Sequence, residues 1–195
     1  ALAEQGKTLD HCQDMFVEVC KKAYNDKTPG GALFKRAARV LGSRSRYLAT
    51  PLYEALKKEF SDKSNFFGDA TQFRPDVKVA VTAKSSTRHG TTLLSNYRRS
   101  NDRNGELNGD GGSHLDLGLA PEYDYERPQD PADELKIWQA AYATMADPQY
   151  FAPLSSGKQY GGTSKYAKTA QLAKAEAQAI WPDIGEPDIL LSIGT

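Results

Sequence analysis

Apolar positions recur at three- and four-residue steps through Leu9, Cys12, Phe16, Val19, Cys20 and Ala23, after Thr8 and before Asn25-Asp26. That period predicts an amphipathic helix capped by Thr8, whose hydroxyl can accept one of the amide protons the first turn leaves unbonded. A second helix is predicted from Thr50-Pro51, with Leu52, Ala55, Leu56 and Phe60 on its apolar side. Proline suits the first helical position because no N–H is needed there. Between Phe60 and Pro75 the period lapses and the chain reads as loop. Val77 to Ala83 alternates and is rich in β-branched residues, which predicts a strand. Asp133 to Ala146 and Tyr166 to Trp181 read as helices, the latter stopped by Pro182, and Ile189-Leu190-Leu191-Ser192-Ile193 reads as a short buried strand. Helices alternating with isolated apolar strands predict a layered α/β domain with a mainly parallel sheet.

From about Ser100 to Pro131 the chain is rich in Asn, Gly, Asp and Pro and has no sustained period. The expectation is one domain over residues 1–195, carrying a flexible insertion loop at 100–131.

Composition narrows the classes. The 195 residues hold 25 Lys+Arg against 25 Asp+Glu. This balance hides an asymmetry, because residues 1–100 carry 18 basic and 10 acidic side chains and residues 101–195 carry 7 and 15. The halves should attract each other. The basic cluster Lys35, Arg36, Arg39, Arg44 and Arg46 lacks interleaved aromatics and reads as a solvated face, so no nucleic-acid partner is expected. Arg98 and Arg99 are expected at the surface, with anionic lipid headgroups as the alternative partner. No run approaches the ~18 apolar residues of a membrane span, and no leader pattern is read at the start. Cys12 and Cys20 lie eight residues apart on one helix, about 12 Å along its axis, too far to bridge. They read as core thiols, and the expected compartment is the cytoplasm.

Chemistry-bearing patterns are few. His11, His89 and His114 are scattered without metal-ligand spacing, and no phosphate-binding glycine loop occurs, so neither metal nor cofactor is expected. His89 follows the predicted strand and is either close to a ligand or in a solvated turn.

Three segments in order carry a resemblance. They are Val77 to Ala83 followed by Leu94-Ser-Asn-Tyr97; Ile137-Trp-Gln-Ala-Ala-Tyr-Ala-Thr-Met-Ala-Asp-Pro148 with Tyr150-Phe-Ala-Pro153; and Ala175-Glu-Ala-Gln-Ala-Ile-Trp-Pro182 running into Asp188-Ile-Leu-Leu-Ser-Ile-Gly-Thr195. In this order and spacing the chain resembles the patatin-like lipid acyl hydrolases. The resemblance implies a layered α/β/α domain in lipid metabolism, with phospholipid or acylglycerol esters as substrate class and a serine–aspartate dyad as catalyst. A serine hydroxyl is a weak nucleophile until a positioned base takes its proton, and a G-x-S-x-G turn exposes it.

The resemblance places the serine elbow, the first strand and the oxyanion glycines before Ala1. It also sets Tyr160-Gly161-Gly162 on the family's DGG turn, with tyrosine in place of the aspartate base. A free phenol, with a pKa near ~10, is a poor proton acceptor at neutral pH. Two other sites compete for the dyad roles. Asp110-Gly111-Gly112 spells DGG but precedes the Ile137 helix and reads as turn punctuation, and Gly162-Thr163-Ser164-Lys165-Tyr166 approximates the elbow, with Thr163 or Ser164 as a helix cap the simpler role. The expected outcome is a family member inactive as this chain, or a non-catalytic module that binds lipid or protein. With the serine strand absent, an open sheet edge is expected to invite protein partners or self-association.

Overall fold

The computed structural model describes residues 6–24, 45–66, 77–86, 91–97, 99, 123–126, 134–156, 158–162, 169–185 and 187–192. Along these run α1 (Leu9–Ala23), α2 (Ala49–Phe60), β1 (Ala80–Ser85), β2 (Thr91–Ser95), β3 (Tyr123–Glu126), α3 (Ile137–Met145), β4 (Leu154–Ser156), β5 (Lys158–Gly161) and α4 (Thr169–Ile180).

The helices start as their sequences dictate. The Thr8 hydroxyl accepts from His11 N at 3.3 Å, and Lys21 and Lys22 sit in the last turn of α1, where positive charge favours the helix dipole. The buried face of α1 differs from the expected stripe: Val19 and Ala23 are buried with Met15 packed beside them, while Leu9 and Phe16 stay exposed. Positions 15, 19 and 23 step by four, so they line up along the helix and meet α2 as one ridge. Cys12 and Cys20 are free and only partly buried on this helix. In α2, Leu52, Ala55, Leu56 and Phe60 are all buried, as predicted. Each large side chain among them contributes about 1.5–3 kcal/mol. The helix begins at Ala49, two residues before Pro51, which still lies among the first-turn amides that need no intrahelical acceptor.

α3 is held at both ends. Phe66 N donates to Leu135 O at 2.8 Å and Ile137 N to Ser64 O at 3.0 Å, which ties the chain leaving α2 to the chain entering α3. Gln139 Oε1 accepts from Lys136 N at 2.7 Å, an i,i+3 cap that starts the helix four residues later than Asp133. Trp138 donates to Asp62 Oδ1 at 3.0 Å, and Tyr53 stacks near Trp138 and Tyr142 with ring centroids 5.7 and 4.3 Å away. Tyr142 is fully buried and its hydroxyl donates to Ala152 O at 2.6 Å.

The sheet order is β3-β2-β1-β5-β4. Of its pairings only β2 with β3 is parallel; β1–β2, β1–β5 and β4–β5 are antiparallel. The expected mainly parallel sheet is therefore replaced, among the described residues, by a mixed α/β arrangement with a mostly antiparallel sheet. Short connections explain it: residues 86–90 separate β1 from β2 and residue 157 alone joins β4 to β5, whereas a parallel crossover needs a dozen residues or more. β1 pairs with β2 along Ala80 to Ala83 and with β5 only at Lys84 and Ser85. Asn96 extends the ladder by side chain, accepting from Val79 N at 2.8 Å and donating to Val77 O at 3.3 Å.

Two other expectations are corrected. The segment read as loop over 100–131 contributes β3 at Tyr123–Glu126, whose alternation places two tyrosines on one face and two carboxylates on the other. Ile189, Leu190 and Leu191 are not a buried strand: Ile189 is 84% and Leu191 75% exposed, and no strand of the described sheet pairs with them.

The main core lies between the sheet and α1, α2 and α3, and includes Leu94, Phe151, Leu154 and Tyr160. Since Tyr123 and Tyr125 alternate with Glu126, which reaches Tyr160 in this core, they point to the opposite face, where Tyr123 meets Glu176 of α4.

Candidate functional site

The segment Tyr160-Gly161-Gly162 forms the end of β5, packed on the end of α3. Tyr160 lies between Ser85 of β1 and Leu154 of β4 in register and is 5% exposed. Its hydroxyl donates to Glu126 Oε1 at 2.8 Å. Gly161 pairs with Lys84. Gly162 N donates to Ala146 O at 2.6 Å, where α3 ends.

The two glycines have different roles. A Cβ at 162 would meet Asp147 N at 2.8 Å, Ala146 C at 2.9 Å and Thr144 O at 3.0 Å, all main-chain atoms. A Cβ at 161 would meet nothing nearer than Ala146 O at 3.6 Å, an ordinary contact. Close approach of two backbones therefore requires Gly162, while Gly161 has room for a methyl group.

Glu126 arrives from β3 opposite Leu94, and Thr92, two residues before Leu94 on β2, shares that face of the sheet. Thr92 is fully buried, and its hydroxyl has no hydrogen-bond partner among the described residues. The arrangement is a buried carboxylate accepting a hydrogen bond from a phenol, on the same sheet face as a hydroxyl that has no partner among the described residues. The phenol at position 160 acts as a donor here, to a carboxylate carried by another strand. Glu126 was not found from sequence because it lies in the segment read as loop; the signal that marks it is the period-two Tyr123-Asp124-Tyr125-Glu126.

A second polar cluster occupies the other face. Arg99 is 3% exposed and Glu176 4% exposed, which overturns the expectation of a surface arginine. Arg99 Nη2 lies 2.5 Å from Glu176 Oε1 and Nε 3.4 Å from Oε2. Tyr97 donates to Glu176 Oε2 at 2.8 Å and Tyr123 donates to Oε1. Burial disfavours the charge on Arg99, but Glu176, by hydrogen bond and by charge, holds its pKa above the usual arginine value. Burial, then the Glu176 charge, push the Tyr97 phenol well above its ordinary pKa. The cluster is thus a buried ion pair flanked by phenol donors.

Ser164 and Asp110 lie outside the described residues, as do Thr163, His89, His114 and the Lys35 to Arg44 basic cluster. His11 is exposed on α1 and shares no cluster with other candidate ligands among the described residues. Among the described residues no group of His, Cys, Asp and Glu could hold a metal, and no helix is long and apolar enough to cross a membrane. No family model, curated protein or solved structure matches the chain.

Proposed function

We propose that the chain is a relative of the patatin-like lipid acyl hydrolases that engages lipid surfaces without hydrolysing their esters. The observation that carries this reading is the buried Tyr160 hydroxyl donating to Glu126 at 2.8 Å. A general base must have a lone pair facing its nucleophile's proton, and at this position the side chain is a phenol whose proton is directed into the core. Support for lipid engagement comes from the apolar stretch Trp181, Ile184, Ile189, Leu190 and Leu191, all exposed to solvent. Exposed apolar residues that run together, as Ile189, Leu190 and Leu191 do, mark interaction surfaces. A cytoplasmic setting, peripheral at membranes, accords with the free Cys12 and Cys20. Among the described residues β3 and β4 are the outer strands of the sheet, and such edges offer a route to self-association.

The test has two readouts on the purified chain. With p-nitrophenyl butyrate and with a phospholipid substrate, turnover stays at the buffer rate; hydrolysis with Tyr160 intact overturns the non-hydrolytic assignment. With phosphatidylcholine vesicles the chain co-sediments, and replacing Ile189 and Leu191 by serine reduces the bound fraction. A chain that stays in the supernatant at all lipid concentrations refutes lipid engagement.

A further inference from the structure

Glu176 is surrounded by groups that suit a carboxylate and that come from elsewhere in the chain. Its oxygens receive the Arg99 guanidinium at 2.5 and 3.4 Å, the Tyr97 hydroxyl at 2.8 Å and the Tyr123 hydroxyl. The Tyr125 ring lies under the guanidinium, with the Arg99 carbon 4.1 Å from the ring centroid, and Tyr123 flanks it at 5.5 Å. Aromatic faces orient a guanidinium by cation–π attraction and leave its N–H groups free for an anion. Arg99 Nη2 also approaches the Tyr123 hydroxyl at 3.2 Å, so donors converge on one oxygen pair.

The parts divide cleanly by origin. Tyr97 and Arg99 follow the end of β2, Tyr123 and Tyr125 belong to β3, and only Glu176 rides on α4. Leu172, Ala175 and Glu176 are the buried residues of α4, so the contacts of Glu176 lie at the centre of its docked face. A planar guanidinium fork and two phenol donors match the two oxygens of any carboxylate, not glutamate in particular.

We infer that Tyr97, Arg99 and Tyr123 form a carboxylate-binding site which α4 fills with its own Glu176, and which takes a free monocarboxylate once that side chain is removed. The inference is independent of the lipid reading. As an internal ligand, Glu176 has the advantage of tethering and outcompetes dilute acids in the intact chain. Removing it takes away the carboxylate that Arg99, Tyr97 and Tyr123 meet, and a small carboxylate restores those hydrogen bonds and the charge pairing with Arg99.

The experiment is chemical rescue of Glu176→Ala in the full chain, followed by thermal melting at pH 7 with sodium acetate, sodium chloride and acetamide. At about ten times its Kd, acetate raises the melting temperature by roughly 3–6 °C and the rise saturates, while chloride at equal ionic strength and neutral acetamide do not reproduce it. Adding Arg99→Met to Glu176→Ala abolishes the acetate response. If Glu176→Ala is unfolded in chloride, the same titration reads recovery of the native circular dichroism signal, with acetate restoring it. A response shared by chloride or acetamide, an acetate response that persists without Arg99, or no rescue up to saturating acetate overturns the inference.

Discussion

Replacing Gly162 by alanine tests whether the Tyr160-Gly161-Gly162 segment is held by backbone packing. The added methyl would lie 2.8–3.0 Å from Asp147 N, Ala146 C and Thr144 O, all in the main chain at the end of α3. No rotamer change relieves such overlap. Either β5 retreats and loses the 2.6 Å bond from Gly162 N to Ala146 O, or the last turn of α3 moves. Overpacking costs about 1–3 kcal/mol, and a lost buried hydrogen bond adds about 0.5–1.5 kcal/mol. Together they amount to roughly 2–4 kcal/mol, or a fall of about 5–15 °C in melting temperature for a chain of this size. Gly161→Ala is the control, since its methyl meets only ordinary contacts from 3.6 Å outward and its φ is not positive. Reduced freedom of the unfolded chain then makes that variant neutral or stabilised by about 0.4–1 kcal/mol. Paired urea and thermal melts decide. Gly162→Ala within about 0.5 kcal/mol of the parent, or Gly161→Ala the more damaging of the two, refutes the packing argument.

Thr92→Val, which removes a buried hydroxyl lacking a partner among the described residues, is expected to raise stability by about 1 kcal/mol; a lower urea midpoint contradicts this. Tyr160→Phe keeps the ring in the core but removes the proton given to Glu126, and should cost about 1.5–3 kcal/mol in a urea melt; an unchanged midpoint shows that the bond contributes nothing. Tyr97 and Tyr142 both hold their protons more tightly folded than unfolded, chiefly through burial. Their contribution is complete below about pH 10, and above it the unfolded chain loses protons that the folded chain retains, so stability falls as pH rises. The alkaline decline, followed by denaturant midpoints from pH 8 to 11, should be shallower in Tyr97→Phe; an unaltered slope rules out the contribution of that phenol.

Elements with a local physical code were legible in the sequence. The three-to-four-residue period around Leu52, Ala55, Leu56 and Phe60 is sufficient to specify the buried face of α2, and Thr8 marks the start of α1 by its own chemistry. β1 was legible from alternation, although displaced by three residues at its start because Asn96 takes over the pairing of Val77 and Val79. What escaped depends on partners distant in sequence. Thr91-Thr-Leu-Leu-Ser95 is buried on both faces and therefore shows no alternation, and the polar residues of β3 gain their meaning only beside β2 and α4. The Arg99–Glu176 pair joins residues 77 apart, so nothing near Arg99 signals its burial. Conversely, Ile189 to Leu191 has the composition of a strand, but no described strand lies beside it to complete one. At the candidate site, Tyr160, Gly161 and Gly162 were singled out through the resemblance, whereas the partner of Tyr160, Glu126, required the sheet register.

β1 changes partners partway along its length, bonding to β2 through Ala83 and to β5 only at Lys84 and Ser85. The β4–β5 hairpin thus joins the rest of the sheet along a seam two residue pairs long, reinforced by Ser86 N donating to Gln159 O at 2.9 Å. Cooperative units separate where the fewest bonds must break. Amide protons in this hairpin should therefore trade with solvent together, and earlier than those between β1 and β2. When the seam parts, Tyr160 leaves with the hairpin, so the first breathing motion of the sheet is also the one that uncovers the Glu126 carboxylate.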